Sequence, residues 1–326
     1  MKKNFLLGVC ITLIIALVAK GLAVLPFLSI IGQLVIAIII GMLWRAWLGV
    51  PEKFEAGITF SSKKLLRVGI ILLGMRLNLI DIYEAGWSMF AIAVVNLLFA
   101  LLLVYCVARW LGVSHKLAML TASGTAICGA AAIVAISPQV KADEEETAVS
   151  VGIIAIVGTI FTLGYTLIYQ WLPLTAMQYG VFSGSTLHEI AHVIAAASTG
   201  GEAAVDTAIV VKLTRVALLV PVALMIGYVF QRKQSTKQAV GGTIIPWFIF
   251  GFLAVGAVHT WLALPEWFVT LCVDVAYLLL AMAMAGLGLN VSIHSFKKMG
   301  VKAFVTCIIG SIALAVLGYV LTSILI

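Results

Sequence analysis

The sequence predicts an all-α polytopic membrane domain over residues 1–326, with about eleven transmembrane helices, internal repeats and discontinuous helices, and three observations carry that prediction. Of the 326 residues, 63% belong to the AVILMFWYC set and only 10% are charged, against roughly 45–50% apolar and about 25% charged in a soluble domain. A chain so poor in charge cannot cover a water-facing surface. Apolar runs of about 20 residues, the length that crosses a hydrocarbon core of about 30 Å, recur from end to end. Lysine and arginine gather on alternate sides of those runs. The same composition excludes disorder. The 20 basic residues are scattered in short clusters, so no stripe marks a nucleic-acid partner.

Cutting the chain at charges and Pro/Gly clusters gives spans at 5–25, 28–48, 66–80, 88–108, 117–138, 147–171, 181–198, 207–230, 245–264, 267–291 and 303–325. Backbone groups in hydrocarbon need internal partners, and runs without alternation meet that need as helices and not as barrel strands. Lys2-Lys3 ahead of FLLGVCITLIIALVA has the look of a secretory signal, but Lys20 stands where small residues would be wanted for cleavage. The first run therefore reads as an uncleaved anchor. Segment 50–65 (VPEKFEAGITFSSKKL) is too polar to span and reads as a short interfacial helix. Five cysteines, odd in number and set mostly inside apolar runs, read as small hydrophobes and not as a disulfide framework. No linker or soluble segment divides the chain, which reads as one membrane domain.

With the N-terminus in the cytoplasm, the inner termini and loops hold Lys2, Lys3, Arg45, Lys53, Lys63, Lys64, Arg67, Arg109, Lys116, Arg232, Lys233, Lys237, Lys297, Lys298 and Lys302, which is 15 of the 20 basic residues. The outer loops hold mainly acids, among them Asp81, Glu84, Glu144, Glu145 and Glu146. This bias predicts a multi-pass protein of the bacterial inner membrane with its N-terminus inside and C-terminus outside. Two re-entrant segments would leave that parity unchanged.

Internal repeats come next, since transporters are commonly built from duplicated halves. Residues 123–135 (SGTAICGAAAIVA) align without gaps to residues 183–195 (SGSTLHEIAHVIA) at an offset of 60, and Thr147-Ala148 then match Thr207-Ala208. These copies lie two spans apart and would run parallel unless one re-enters. A second pair, GMRLNL at 74–79 and GLGLNV at 286–291, lies seven spans apart, an odd number, as inverted topology requires.

The aligned segments hold the candidate site. Gly124, Thr125, Cys128 and Gly129 fall in mid-span, where glycine loosens a helix and hydroxyls cover freed backbone groups, so a break is expected there. Half-helix N-termini at mid-membrane offer N–H groups and partial positive charge to an anion or carboxylate; close packing through small residues is the plainer reading. Its counterpart, Ser185, Thr186, His188, Glu189 and His192, carries three ionisable residues within five positions of an apolar run. Such residues are costly in a membrane and count as functional. They also match H-E-x-x-H, in which two histidines bind zinc from one helix face, with Asp274 the leading third ligand. Yet the aligned copy has Cys128 and Gly129 in place of His188 and Glu189, so no metal site is expected. Lys212 and Arg215, three apart on one helix face, would meet Glu189 or an anionic substrate. Arg76 near a span end and His259 read as near-interface residues, whereas Asp274, seven residues into its span, is retained.

The segments GIILLGMRLNL at 69–79, GTAICGAAAIVA at 124–135, STLHEIAHVIAAA at 185–197, KLTRVALLVP at 212–221 and GLGLN at 286–290 together resemble the YeiH-like family of bacterial inner-membrane proteins described as sulfate exporters, over essentially the whole chain. That resemblance implies a polytopic secondary transporter similar in organisation to bile-acid symporters and sodium/proton antiporters. The expectation is a transporter and not an enzyme, without cofactor, exporting a small anion such as sulfate or a sulfonate on a proton or sodium gradient, since no G-x-x-x-x-G-K-S/T loop is present. The substrate would lie among Gly124, Thr125, Cys128, Gly129, Ser185, Thr186, His188, Lys212 and Arg215, with Glu189, His192 and Asp274 handling the coupling ion. The expected partners are the lipid bilayer, a small anion and a further copy of the chain. An intramembrane zinc hydrolase and a passive anion channel are the alternatives.

Overall fold

The computed structural model describes residues 2–25, 28, 32–234, 247–262, 264–290 and 293–326. Lys237 and parts of the expected spans 28–48, 245–264 and 267–291 lie outside the described residues. In chain order the helices are α1 (Lys2–Leu22), α2 (Gln33–Leu48), α3 (Glu52–Phe60), α4 (Leu66–Leu73), α5 (Leu79–Glu84), α6 (Gly86–Trp110), α7 (His115–Ala126), α8 (Ala130–Ile136), α9 (Glu144–Ile168), α10 (Ala176–Thr186), α11 (Ile190–Ala197), α12 (Glu202–Ala217), α13 (Leu219–Gln234), α14 (Trp247–Trp261), α15 (Glu266–Asn290) and α16 (Ile293–Leu325). No strand occurs among the described residues.

Six segments are long and apolar enough to cross a membrane among the described residues: Lys3–Leu22, Gly86–Trp110, Glu144–Trp171, Glu202–Phe230, Glu266–Asn290 and Gly300–Leu325. Shorter apolar helices cover Gln33–Leu48 and Phe250–Trp261. Four expected elements differ. Segment 50–65 and span 66–80 are not separate: α3 runs through a π-helical turn at Ser61–Leu65 into α4 and a 3-10 turn at Gly74–Arg76. The π turn absorbs Ser-Ser-Lys-Lys without ending the helix, leaving Ser61 and Ser62 buried and Lys63 and Lys64 exposed. Spans 117–138 and 181–198 are each two short helices joined by a break.

The chain divides into two compact units, Met1–Leu79 with Phe248–Gly300 and Ile80–Trp247 with Val301–Ile326. Each unit contains helices long and apolar enough to cross a membrane. In the first unit small residues let backbones touch, as expected where lipid supplies no hydrophobic drive between helices. Gly8 on α1 and Gly57 on α3 face each other, and a Cβ on Gly57 would stand 2.9 Å from the Gly8 Cα. Gly41 on α2 meets α15, where a Cβ would lie 2.6 Å from the Ala285 carbonyl. Polar ties complete the packing: Thr12 and Ser61 hydroxyls at 2.8 Å, Arg45 to the Leu289 carbonyl at 3.0 Å, and Arg76 to the Tyr277 hydroxyl at 3.1 Å.

In the second unit the tightest seam joins α10 to α12. Gly180 and Gly184 on α10 lie against Ala204 and Ala208 on α12, and a Cβ at Gly180 would come within 2.5 Å of the Ala204 carbonyl. α16 packs antiparallel on α6, since Gly310 meets Val104 while Gly318 meets Asn96.

Candidate functional site

Each broken segment of the second unit is a hairpin that returns to the end it started from. At the start of the first, Ser114 caps α7 by accepting from the Leu117 N–H at 3.2 Å, and its hydroxyl donates to Glu146 Oε1 at 2.9 Å. Glu146 belongs to the first turn of α9, where Asp143 and Glu146 form a reciprocal capping box. Thus the first turns of α7 and α9 lie side by side, and α8 must double back between them. The turn is made at Gly129, whose φ of 73° suits glycine, and Ile133 returns across Gly124, where a Cβ would lie 2.7 Å from its Cδ1. In the second hairpin Thr175 and Gln178 form the capping box of α10. Tyr179, near the start of α10, donates to the carbonyl of Ala196 near the end of α11 at 3.3 Å.

α9 carries the chain from the end where the first hairpin opens to the end where the second opens, so the two hairpins enter from opposite ends. The 60-residue repeat is therefore inverted, not parallel. The correspondence is residue by residue: both breaks occupy equivalent positions, Ile127–Gly129 and Leu187–Glu189, and Lys141 and Gly201, also 60 apart, both have positive φ. One expectation is corrected by this geometry. Glu144, Glu145 and Glu146 do not lie opposite Arg109 and Lys116; the Ser114–Glu146 bond puts them at the same end.

The hairpin tips meet at α12. Lys212 Nζ donates to the carbonyls of Ile127 at 2.8 Å and Leu187 at 2.6 Å, one from each hairpin. Arg215 donates to Thr125 at 3.0 Å, Ser185 at 2.6 Å, Leu187 at 3.3 Å, and twice to Ala126, once at 3.0 Å through Nε. The last carbonyls of a helix have no partner within it and carry its partial negative charge. Two cations on one face of α12 satisfy both C-termini at once, and the fork of Arg215 is committed to the main chain. Glu189 reaches across, its Oε1 accepting from the Ala130 N–H at 3.2 Å at the N-terminus of α8. A Cβ on Gly129 would stand 2.5 Å from the Glu189 Cγ. The carboxylate expected at a half-helix N-terminus is thus supplied by the protein itself.

His188 is buried, with Nε2 3.0 Å from the Ser311 hydroxyl of α16. His192, also buried, lies on Gly158 of α9, its Nε2 3.5 Å from the Thr159 hydroxyl. The Nδ1 of each finds no hydrogen-bond partner among the described residues. Thr125 and Thr186 sit at the tips, Thr125 beside Cys307 Sγ at 3.3 Å and Thr186 accepting from the Tyr165 hydroxyl at 2.9 Å. Ser185 bonds its own helix, at the Phe182 carbonyl, and Cys128 is buried in the first tip. Asp274 is an exposed residue of α15 and belongs to the other unit. His188 and Glu189 occupy the non-helical break and only His192 is in α11, so the two histidines are not displayed from one helix face as the zinc pattern needs. Among the described residues no three His, Cys, Asp or Glu side chains converge as a metal group.

Four contributors went unread in the sequence: Tyr165, Gly158, Ser311 and Asn96. Asn96 is fully buried on α6, and neither amide atom finds a partner among the described residues. An asparagine in the middle of AIAVVNLLFALLL was a readable signal; the other three were not, because tyrosine, glycine and serine are ordinary in membrane helices.

Comparison with known proteins agrees with this picture of a multi-pass helical protein. The family model described as conserved hypothetical protein 698 matches residues 7–307. A UPF0324 membrane protein of Bacillus cereus (strain ATCC 10987 / NRS 248) is 61% identical over 320 residues, covering 98% of this chain and 91% of the relative. UPF0324 membrane proteins of Listeria monocytogenes serotype 4b and Staphylococcus aureus (strain COL) are 54% and 41% identical, each over 98% of this chain and over 95% and 96% of their own lengths.

Proposed function

The chain belongs to the conserved hypothetical protein 698 family, whose relatives above are UPF0324 membrane proteins, and from that premise we propose that it is a secondary transporter moving a small anion through the site where the two hairpins meet. The observation that carries this is the charge at the tips. Two buried cations, Lys212 and Arg215, and one buried carboxylate, Glu189, are gathered at the tips, and burying charge is costly unless it is compensated. The helix C-termini compensate in part, and an oxyanion completes the balance. The same elements carry groups suited to it: the third N–H of Lys212, the unpartnered Nδ1 atoms of His188 and His192, and the first turn of α11, which has no side-chain cap. Hairpins of opposite entry also give each face of the membrane its own access to one tip, the arrangement that alternating access uses.

In this reading Glu189, with His188 or His192, carries a coupling proton, and the positive-inside bias sets the end bearing Arg109, Lys116 and Lys302 in the cytoplasm. Removing two re-entrant segments from eleven leaves an odd number of crossings, so the C-terminus faces outward from the inner membrane. Sulfate and sulfonates are the first anions to test, following the resemblance to YeiH-like exporters. The experiment places purified protein in liposomes with labelled sulfate and imposes a pH gradient. Accumulation against the sulfate gradient supports the proposal, equilibration alone supports a passive channel, and no protein-dependent flux of any small oxyanion refutes it.

A further inference from the structure

We propose that the ammonium of Lys212 is the resident cation of a carbonyl site built where two half-helices end, so that the transport step takes no alkali-metal ion. The proposal deepens the transport reading by naming the ion requirement of the same site, and depends on that reading only for what the site is used for. Five carbonyls converge there, those of Thr125, Ala126 and Ile127 from the first hairpin and of Ser185 and Leu187 from the second. Hard cations bind in such settings, where main-chain oxygens replace a hydration shell in a water-poor interior. This chain fills the position from within. A lysine ammonium is a compact point charge with three donors, and that of Lys212 bridges one carbonyl of each hairpin at 2.8 and 2.6 Å. Arg215 occupies the remaining oxygens. The one carboxylate at the tips, Glu189, is turned to the Ala130 N–H.

The consequence is measurable without any substrate. Melting temperatures of the purified full-length protein are recorded as NaCl or KCl replaces choline chloride at constant ionic strength, for the wild type and for Lys212→Ala, which leaves the carbonyls and removes the tethered charge. The wild type is expected to be indifferent to the ion. Lys212→Ala is expected to melt lower in choline and to recover saturably, by roughly 2–4 °C, in sodium or potassium. A saturable rise in the wild type overturns the proposal. So does a folded Lys212→Ala variant indifferent to both ions, and so does failure of that variant to fold in sodium and potassium as well as in choline, because a free cation then cannot replace the tethered one. If liposomes show no anion flux while the melting results hold, the transport reading falls and the cation site stands.

Discussion

Replacing Arg215 by alanine removes five hydrogen bonds from the hairpin tips, and three carbonyls, those of Thr125, Ala126 and Ser185, lose the donor that serves them. Leu187 is still reached by Lys212. An unsatisfied buried acceptor costs about 1–3 kcal/mol, so the three together cost on the order of 3–9 kcal/mol, comparable with the whole stability of a typical domain. At about 2–4 °C per kcal/mol the melting temperature should fall by at least about 6 °C. Arg215→Lys keeps the charge at the helix C-termini but has three donors for four carbonyls and no planar fork, so its fall should be smaller and still clear. The assay is thermal unfolding of detergent-purified variants beside anion flux in liposomes. An Arg215→Ala protein melting within about 2 °C of wild type would mean that these bonds do not hold the tips together. Loss of flux with an unchanged melting temperature would likewise show that Arg215 serves the ligand and not the main chain.

Glu189→Gln retains an oxygen to accept from the Ala130 N–H, so it should melt near wild type while abolishing drive by a pH gradient more than anion exchange; equal loss of both would remove Glu189 from the coupling role. Gly158→Ala places a methyl on the His192 ring and should cut flux at least tenfold with expression retained, whereas unaltered flux would show that the imidazole position is unimportant. Hairpin direction is checked by a membrane-impermeant maleimide on intact cells, with Lys141→Cys and Glu202→Cys in a Cys106→Ser background; one should label and the other should not, and labelling of both from outside contradicts opposite entry. Elemental analysis of the purified protein should find no stoichiometric zinc, and one zinc per chain lost in His188→Ala would favour the hydrolase.

The two helix breaks of the candidate site were legible because the repeat carries them. The alignment of 123–135 with 183–195 placed both breaks, and intramembrane charge marked His188, Glu189, Lys212 and Arg215. Re-entry was not legible, because a run of 22 apolar residues has the length of a crossing whether it goes straight or doubles back. The fold-back depends on Ile133 meeting Gly124 and on Tyr179 meeting Ala196, contacts that no local pattern encodes. For the same reason the sequence could mark Arg215 as significant without revealing its partners. A guanidinium suits a carbonyl as well as an oxyanion, and only the approach of two helix ends decides between them. At Ser61–Leu65 the error had another source: a polar cluster read as a helix end is carried by a π turn with its lysines exposed.

The two copies of the repeat have come to speak different chemical languages. Where the second presents His188, Glu189, His192, Lys212 and Arg215, the first has Cys128, Gly129, Ala132, Gly152 and Ala155 at the equivalent positions. What the first tip gives Lys212 and Arg215 is main-chain oxygen from Thr125, Ala126 and Ile127, which any residue type supplies so long as the path of the chain is kept. The second copy's cations therefore meet no cation of the first, which has Gly152 and Ala155 where they stand.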